Sequence, residues 1–227
     1  MSKRLKEANK LVDKTKLYPL KEAVSILKGV PTVKFDESVD LSIKLGIDPK
    51  EISQSIRGSV VLPHGTGKKV RVIVFCKPEH AEEAKEAGAD LAGAEDLVEK
   101  ISGGFLDFDT AIATPDMMRE MSKLGKILGP RGLMPSPKAG TVTNDVAKAI
   151  KEVNAGKIEF KMDKLGCINI TIAKRSFSED AIVDNARTIL NSVMQVRPAQ
   201  IKGKFMRGVS LSTTMGPGVK LDTSKFQ

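Results

Sequence analysis

The chain has 227 residues, of which 41% are hydrophobic and 29% charged, and its formal charge is +9. It can bury roughly 70–75% of its unfolded surface, as one large domain or two small ones, and the composition is that of a soluble globular protein. No apolar run approaches the ~20 residues of a membrane helix, and the charged start MSKRLKEANK lacks the apolar stretch of a secretory signal, whereas the basic balance favours polyanion partners.

Taken in order, the spacing predicts a helix from about Leu20 to Leu27. VDLSIKLG (Val39–Gly46) alternates apolar and polar residues, as a strand with one wet face does. LPHGTGKK (Leu62–Lys69) resembles a phosphate loop but fails its test. With Gly67-Lys68 as the GK pair, the first glycine is replaced by Leu62 and the magnesium-binding hydroxyl by Lys69, and the loop precedes a strand instead of following one. It reads as a flexible crossing between domains, with Gly65 and Gly67 as hinge positions and Gly156 marking the return.

The middle has a different texture. VRVIVF (Val70–Phe75) is a continuous apolar run, as in a parallel strand covered on both faces. EHAEEAKEAGA follows as a helix with Ala81, Ala84 and Ala87 on one side, then a short segment at Asp90–Ala92 and a helix at EDLVEKISGG. TAIAT (Thr110–Thr114) reads as a strand, MMREMSKLG as a helix and NDVAKAIKEV as the last helix of this part. Strand and helix alternate, so the middle is an α/β layered unit. Beyond it, KIEFKMD, CINITIA and GVSLSTT alternate again. SEDAIVDNARTILNSVMQV is the clearest helix, with Ile182, Ala186, Ile189, Leu190 and Val193 on one stripe, Ser178 as N-cap and Pro198 past the end.

The charge follows the same division. Residues 1–67 carry +4, residues 68–156 carry −1 and residues 157–227 carry +6. A core built from both ends, residues 1–66 with 157–227, and interrupted by an inserted α/β domain at 67–156, accounts for pattern and charge together; two successive domains are the alternative. Helices on one face of an antiparallel sheet would leave its other face free for a ligand. Cys76 and Cys167 are far apart and belong to no C-x-x-C pair, and His64 and His80 add no metal-ligand spacing. Both cysteines are expected to be reduced and buried, with no metal and no cofactor.

No catalytic constellation is present: there is no G-x-S-x-G, H-E-x-x-H or G-x-G-x-x-G, and Asp107 and Asp109 sit at strand-start spacing. Two stretches call for a function. LGKILGPRGLMPSPKAGTV (Leu124–Val142) is studded with Lys126, Arg131 and Lys138, and reads as a long loop without secondary structure, either functional or packed inside the middle domain or against the hinge. STTMGPGV (Ser212–Val219) offers hydroxyls, a flexible apolar side chain and glycine.

These stretches, with KFDESVDLSIKLGIDPK, RGSVVLPHGTGK, GAD, ATPDMM and GKIEFKMDK, occur in the order found in the L-one family of bacterial large-subunit ribosomal proteins, which the chain resembles over essentially its whole length. The resemblance implies a split α/β domain made from both ends and an inserted Rossmann-like domain without nucleotide, in a protein that is not an enzyme. It implies large-subunit ribosomal RNA as partner in the mobile stalk beside the exit site, with other ribosomal components and exit-site transfer RNA nearby. It also implies repression of the protein's own messenger RNA, a cytoplasmic location on the ribosome, and a monomer away from it. Carried over, the RNA surface comprises Lys34, Phe35 and Ser38 from KFDES and Thr213, Thr214, Met215 and Gly216 from TTMGP, with Glu159 on KIEFK and Asn169 on CINIT as neighbours. Ser38 stands where other members have threonine, and Asn169 where some have histidine.

Aromatics are only 4% of the chain, with no Trp and one Tyr, which argues against a stacking platform for single strands and points to recognition of a folded RNA through 2′-hydroxyls, phosphates and groove shape. Thr213 and Thr214 would bond 2′-hydroxyls, Met215 would pack on a base or ribose, Lys34 would neutralise a phosphate, and Gly216 would let the backbone approach. From the residues alone, a nucleotide-dependent enzyme on the α/β middle and a general basic binder are the competing readings.

Overall fold

The computed structural model describes residues 3–31, 33–47, 56–198, 201 and 203–224. Residues 48–50 of the KFDES…DPK motif and the side chain of Lys138 lie outside what is described. The described part is a mixed α/β chain in two compact units, Met1–Gly67 with Glu159–Gln227, and Lys68–Ile158. In chain order the elements are α1 (Lys3–Lys10), α2 (Leu20–Gly29), β1 (Ser38–Leu45), β2 (Arg57–Val61), β3 (Val72–Phe75), α3 (Pro78–Glu86), β4 (Leu91–Gly93) and α4 (Glu95–Ser102). They continue as β5 (Thr110–Ala113), α5 (Met118–Met121), α6 (Gly125–Leu128), α7 (Val146–Asn154), β6 (Lys157–Lys161), β7 (Cys167–Lys174), α8 (Glu179–Gln195), β8 (Met206–Thr213) and β9 (Val219–Leu221).

The first unit is built on a four-stranded sheet in the order β7-β1-β8-β9, with antiparallel pairing throughout. The alternation in β1 decides which way it faces: Val39, Leu41, Ile43 and Leu45 are buried, and Ser38, Asp40, Ser42 and Lys44 point to the other side. Helices α2 and α8 cover the apolar face. In α8 the Ser178 hydroxyl accepts from Ala181 N, Glu179 and Asp180 complement the helix dipole, and the stripe from Ile182 to Val193 is buried. Ile182, Ile189, Leu190 and Val193, all buried, contribute roughly 1.5–3 kcal/mol of transfer free energy apiece. A second sheet pairs β2 with β6. Here Gly58 makes room for Phe160: a methyl group at residue 58 would lie 2.5 Å from the buried ring.

The second unit is a three-layer α/β structure. Its sheet is parallel, in the order β4-β3-β5, with β3 central and buried on both faces. Ile73 and Phe75 pack with Leu97, Ile101 and Met121 on one side, and Val72 and Val74 pack with Ala84, Ile112 and Ile150 on the other. The α7 N-cap is Asp145, which accepts from Lys148 N.

Several expectations need correction. MMREMSKLG is not one helix: 3₁₀ turns at Pro115–Met117 and Ser122–Leu124 alternate with the one-turn helices α5 and α6. Leu124–Val142 is not a structureless loop. It contains α6 and a 3₁₀ turn at Pro137–Ala139, and Val142 bridges to Ala113. Leu124, Leu128 and Ala139 are buried, and Ile127, Leu133 and Met134 pack on the core. Glycine and proline turns set these apolar residues at irregular spacings, so no period is visible in the sequence.

The LPHGTGK turn is docked on its own unit. Leu62 is buried, His64 N donates to Asn185 Oδ1, and Asn185 Nδ2 donates to the carbonyls of Gly65 and Ile172. Asp107 and Asp109 both pair with Arg71, at 2.6 and 3.5 Å, and the Asp107 hydrogen bond raises the arginine's pKa above its ordinary value. Cys76 is buried as expected, but Cys167, on β7, is partly exposed.

Two outcomes are expected. A thiol reagent added to the native protein reacts with Cys167 first, because Cys76 is buried and desolvation pushes its thiol pKa up; equal rates for the two thiols would contradict this packing. Gly58→Ala forces the Phe160 ring aside and costs about 1–3 kcal/mol in denaturant unfolding, and a neutral result would show that the β2–β6 pairing is looser than described.

Candidate nucleic-acid interface

The residues named by the motifs converge at one end of the four-stranded sheet. β1 and β8 are antiparallel with Val39 opposite Thr213, so the loop entering β1 and the loop leaving β8 lie side by side. Thr214 N donates to Ser38 O at 3.0 Å, and Ser38 N donates to Thr214 Oγ1 at 3.1 Å. A turn closes with Gly216 N donating to Thr213 O. At the tip, Phe35 is 55% exposed, Met215 is 50% exposed, and Lys34 is exposed beside Phe35. Two large apolar side chains left in water next to a cation are an arrangement that packing within the fold does not require.

Charged side chains tie the two loops to the body of the unit. The Glu37 carboxylate is completely buried; one oxygen accepts from Arg175 Nη1 at 2.8 Å and the other from Met215 N at 3.0 Å. Arg175 also donates to the carbonyls of Lys28 and Val30. From α1, Arg4 Nη2 donates to Met215 O at 2.8 Å. Asp36 accepts from Ser176 N and Ser176 Oγ, and Lys174 Nζ donates to Ser38 Oγ at 3.2 Å.

Lys34, Phe35, Ser38, Thr214 and Met215 are therefore brought together. Two of the motif residues have other roles. Thr213 is only 3% exposed, on the core side of the sheet with Val209 and Leu211, and its hydroxyl has no hydrogen-bond partner among the described residues. It cannot reach an RNA placed on the tip. Gly216 is glycine for an internal reason: a Cβ there would collide with the Thr213 hydroxyl, so its small size serves the turn itself.

Asn169 is exposed on β7, opposite Ser42, on the wet face of the same sheet. Thr171 Oγ1 donates to Asp40 on that face. A shallow groove there is lined by Ser42, Lys44, Asn169, Arg207, Ser210 and Lys220. Glu159 stands apart: it lies on β6 in the two-stranded sheet and pairs with Arg57 at 3.3 Å. The glycines named as hinges have left-handed backbone angles, with φ of 66° at Gly65, 72° at Gly67 and 101° at Gly156.

Sequence reasoning missed Glu37, Arg4 and Arg175, whose partners lie far away along the chain. It also missed Lys44, Arg207 and Lys220. The alternation of β1 placed Lys44 on the wet face but could not say which strands would lie beside it. Among the described residues there is no group of three or more His, Cys, Asp or Glu able to hold a metal ion, and no helix is long and apolar enough to cross a membrane.

Comparison with known proteins gives a consistent result. The family model described as ribosomal protein L1p/L10e family matches residues 25–217. The large ribosomal subunit protein uL1 of Protochlamydia amoebophila is 54% identical over 221 residues, covering 97% of this chain and 94% of that protein. The protein of the same name from Kosmotoga olearia is 54% identical over 224 residues, covering 99% of this chain and 97% of that protein. With a match that spans both compact units and both loops at the tip, the chain belongs to the ribosomal protein L1p/L10e family.

Proposed function

We propose that the chain is a non-enzymatic constituent of the large ribosomal subunit in the cytoplasm, and that its first unit binds ribosomal RNA through the tip formed by Phe35 and Met215. The observation that carries this reading is the pair of exposed apolar side chains beside Lys34, at the edge of a sheet face lined with hydroxyls and cations. The ends of the chain hold the basic excess, +4 in residues 1–67 and +6 in residues 157–227. Phe35 and Met215 would stack on or wedge against bases and riboses that a folded RNA splays out. Ser42, Ser210 and Asn169 can donate to and accept from 2′-hydroxyls, and Lys34, Lys44, Arg207 and Lys220 would meet phosphates.

The finer roles follow from the resemblance. The protein is read as part of the mobile stalk near the exit site, where it assists release of deacylated transfer RNA, with Gly65, Gly67 and Gly156 at the crossings between the units. It is read as a repressor of its own messenger RNA through a similar RNA structure. Both targets would use the same tip, so binding one excludes the other. Away from the ribosome it is read as a monomer.

Titration of the full chain with a folded large-subunit ribosomal RNA segment and with random RNA of equal length tests this. The expected result is tighter binding to the folded segment, weakening with salt at a log–log slope of about −0.7 to −0.9 per phosphate contacted. Equal affinity for both RNAs, or binding insensitive to salt, would contradict it. Substitutions locate the surface. Met215→Ala should cost about 1–3 kcal/mol of RNA binding while leaving the thermal midpoint unchanged. Thr213→Val removes an unpartnered buried hydroxyl and should leave affinity unchanged, with stability equal or higher by up to about 1 kcal/mol. The reverse pattern would place recognition elsewhere.

A further inference from the structure

Glu37 has no exposed surface, yet it belongs to the same pair of loops as the exposed residues of the tip. Its backbone is two residues from Phe35, and its carboxylate reaches across to the amide of Met215. A buried carboxylate is costly, and a buried ion pair is often no more stabilising than apolar residues of the same volume. The pair Glu37–Arg175 is therefore poorly accounted for by stability alone. What the carboxylate does that an apolar group could not is accept two donors in fixed directions.

One oxygen takes Arg175 Nη1 and the other takes Met215 N–H. Arg175 is itself fixed by two carbonyls at the end of α2, and its backbone N–H donates to Glu37 O at 2.8 Å. On the far side of residue 215, Arg4 holds the carbonyl. The backbone of Met215 is thus gripped on its N–H by an anion and on its C=O by a cation, while its side chain remains half exposed.

We propose that Glu37 is a positioning residue for RNA recognition: without touching RNA, it fixes Met215 relative to Phe35 so that both apolar tips are already set for a folded ribonucleic acid. Arg175 orients the carboxylate, and Arg4 completes the grip. Fixing the tip before binding removes the ordering cost that a loose loop would add on association. This inference rests on the RNA-binding reading given above.

Glu37→Gln tests it with little change in shape. A Gln amide offers one oxygen for two donors, so its NH₂ must face either Arg175 or the Met215 amide. Three quantities are measured on the full chain: hydrogen exchange at the Met215 amide in the free protein, affinity for the folded ribosomal RNA segment, and the salt slope. The expected result is exchange faster by about 10-fold and affinity weaker by about 10-fold, the scale of a lost hydrogen bond to a charged group. The salt slope should stay as in wild type, because no phosphate contact is removed. Arg4→Met is the second variant. It leaves the buried pair intact and should show the same signature, with faster exchange, a smaller loss of affinity and an unchanged slope. Faster exchange at Met215 with undiminished affinity would overturn the proposal, as would unchanged exchange in both variants. A wild-type chain with no preference for the folded RNA would sink the functional reading itself, a result visible before any variant is made.

Discussion

The first unit depends on β1 finding both its partners at the other end of the chain. β1 pairs with β7 on one side and β8 on the other, Ser42 facing Asn169 and Ser210 respectively. The four-stranded sheet is complete only when a strand from the first fifth of the chain is flanked by two from the last third. Closing so long a loop costs conformational entropy, but that cost grows only logarithmically with length, and an insert that folds on its own shortens the disordered span. Register is then set by alternation. A slip of one residue would turn Ser42 and Lys44 into the core and Leu41 and Ile43 into water. The same register aligns the two loops whose ends meet at Ser38 and Thr214. The candidate surface is in this sense a by-product of strand pairing.

Much of this was legible because it is periodic. β1, β7 and β8 announce themselves by alternation, α8 by its stripe and its Ser178 cap, and β3 by an unbroken apolar run. The elements that escaped have no period: α1 is nearly all polar, β2 contains Gly58, and β9 has three residues. Leu124–Val142 escaped because its apolar residues are spaced by turns. At the site, Phe35 was named only through the resemblance, whereas Thr214 and Met215 lie in STTMGPGV, a stretch that stood out by its own residues. Thr213 was misread although the sequence held the answer: Val209 and Leu211 set the parity of β8, and Thr213 shares it. Glu37, Arg4 and Arg175 had no local signal, because a carboxylate in KFDES looks like any solvated charge until a distant amide and guanidinium are placed against it.

The chemistry of the surface suits a ligand with shape more than one with a base sequence. The exposed groups are two apolar tips, hydroxyls, an amide and a few cations, Arg207 among them. Charge gives affinity and a steep salt dependence, while hydroxyls and apolar tips give preference for a particular fold. The buried pair beneath the tip gives rigidity. On the proposed reading the basic ends carry recognition, while the nearly neutral middle, with its packed Leu124–Val142 segment, forms the second compact unit.

The most direct test of this division uses a chain in which residues 68–158 are replaced by a short glycine linker. Its affinity for the folded ribosomal RNA segment is compared with that of the full protein, after circular dichroism establishes that it folds. The account predicts affinity and salt slope close to those of the full chain, since strands β1, β7 and β8 and both loops of the tip are retained. A folded protein that no longer distinguishes this RNA from random RNA would contradict it and move recognition into the middle unit.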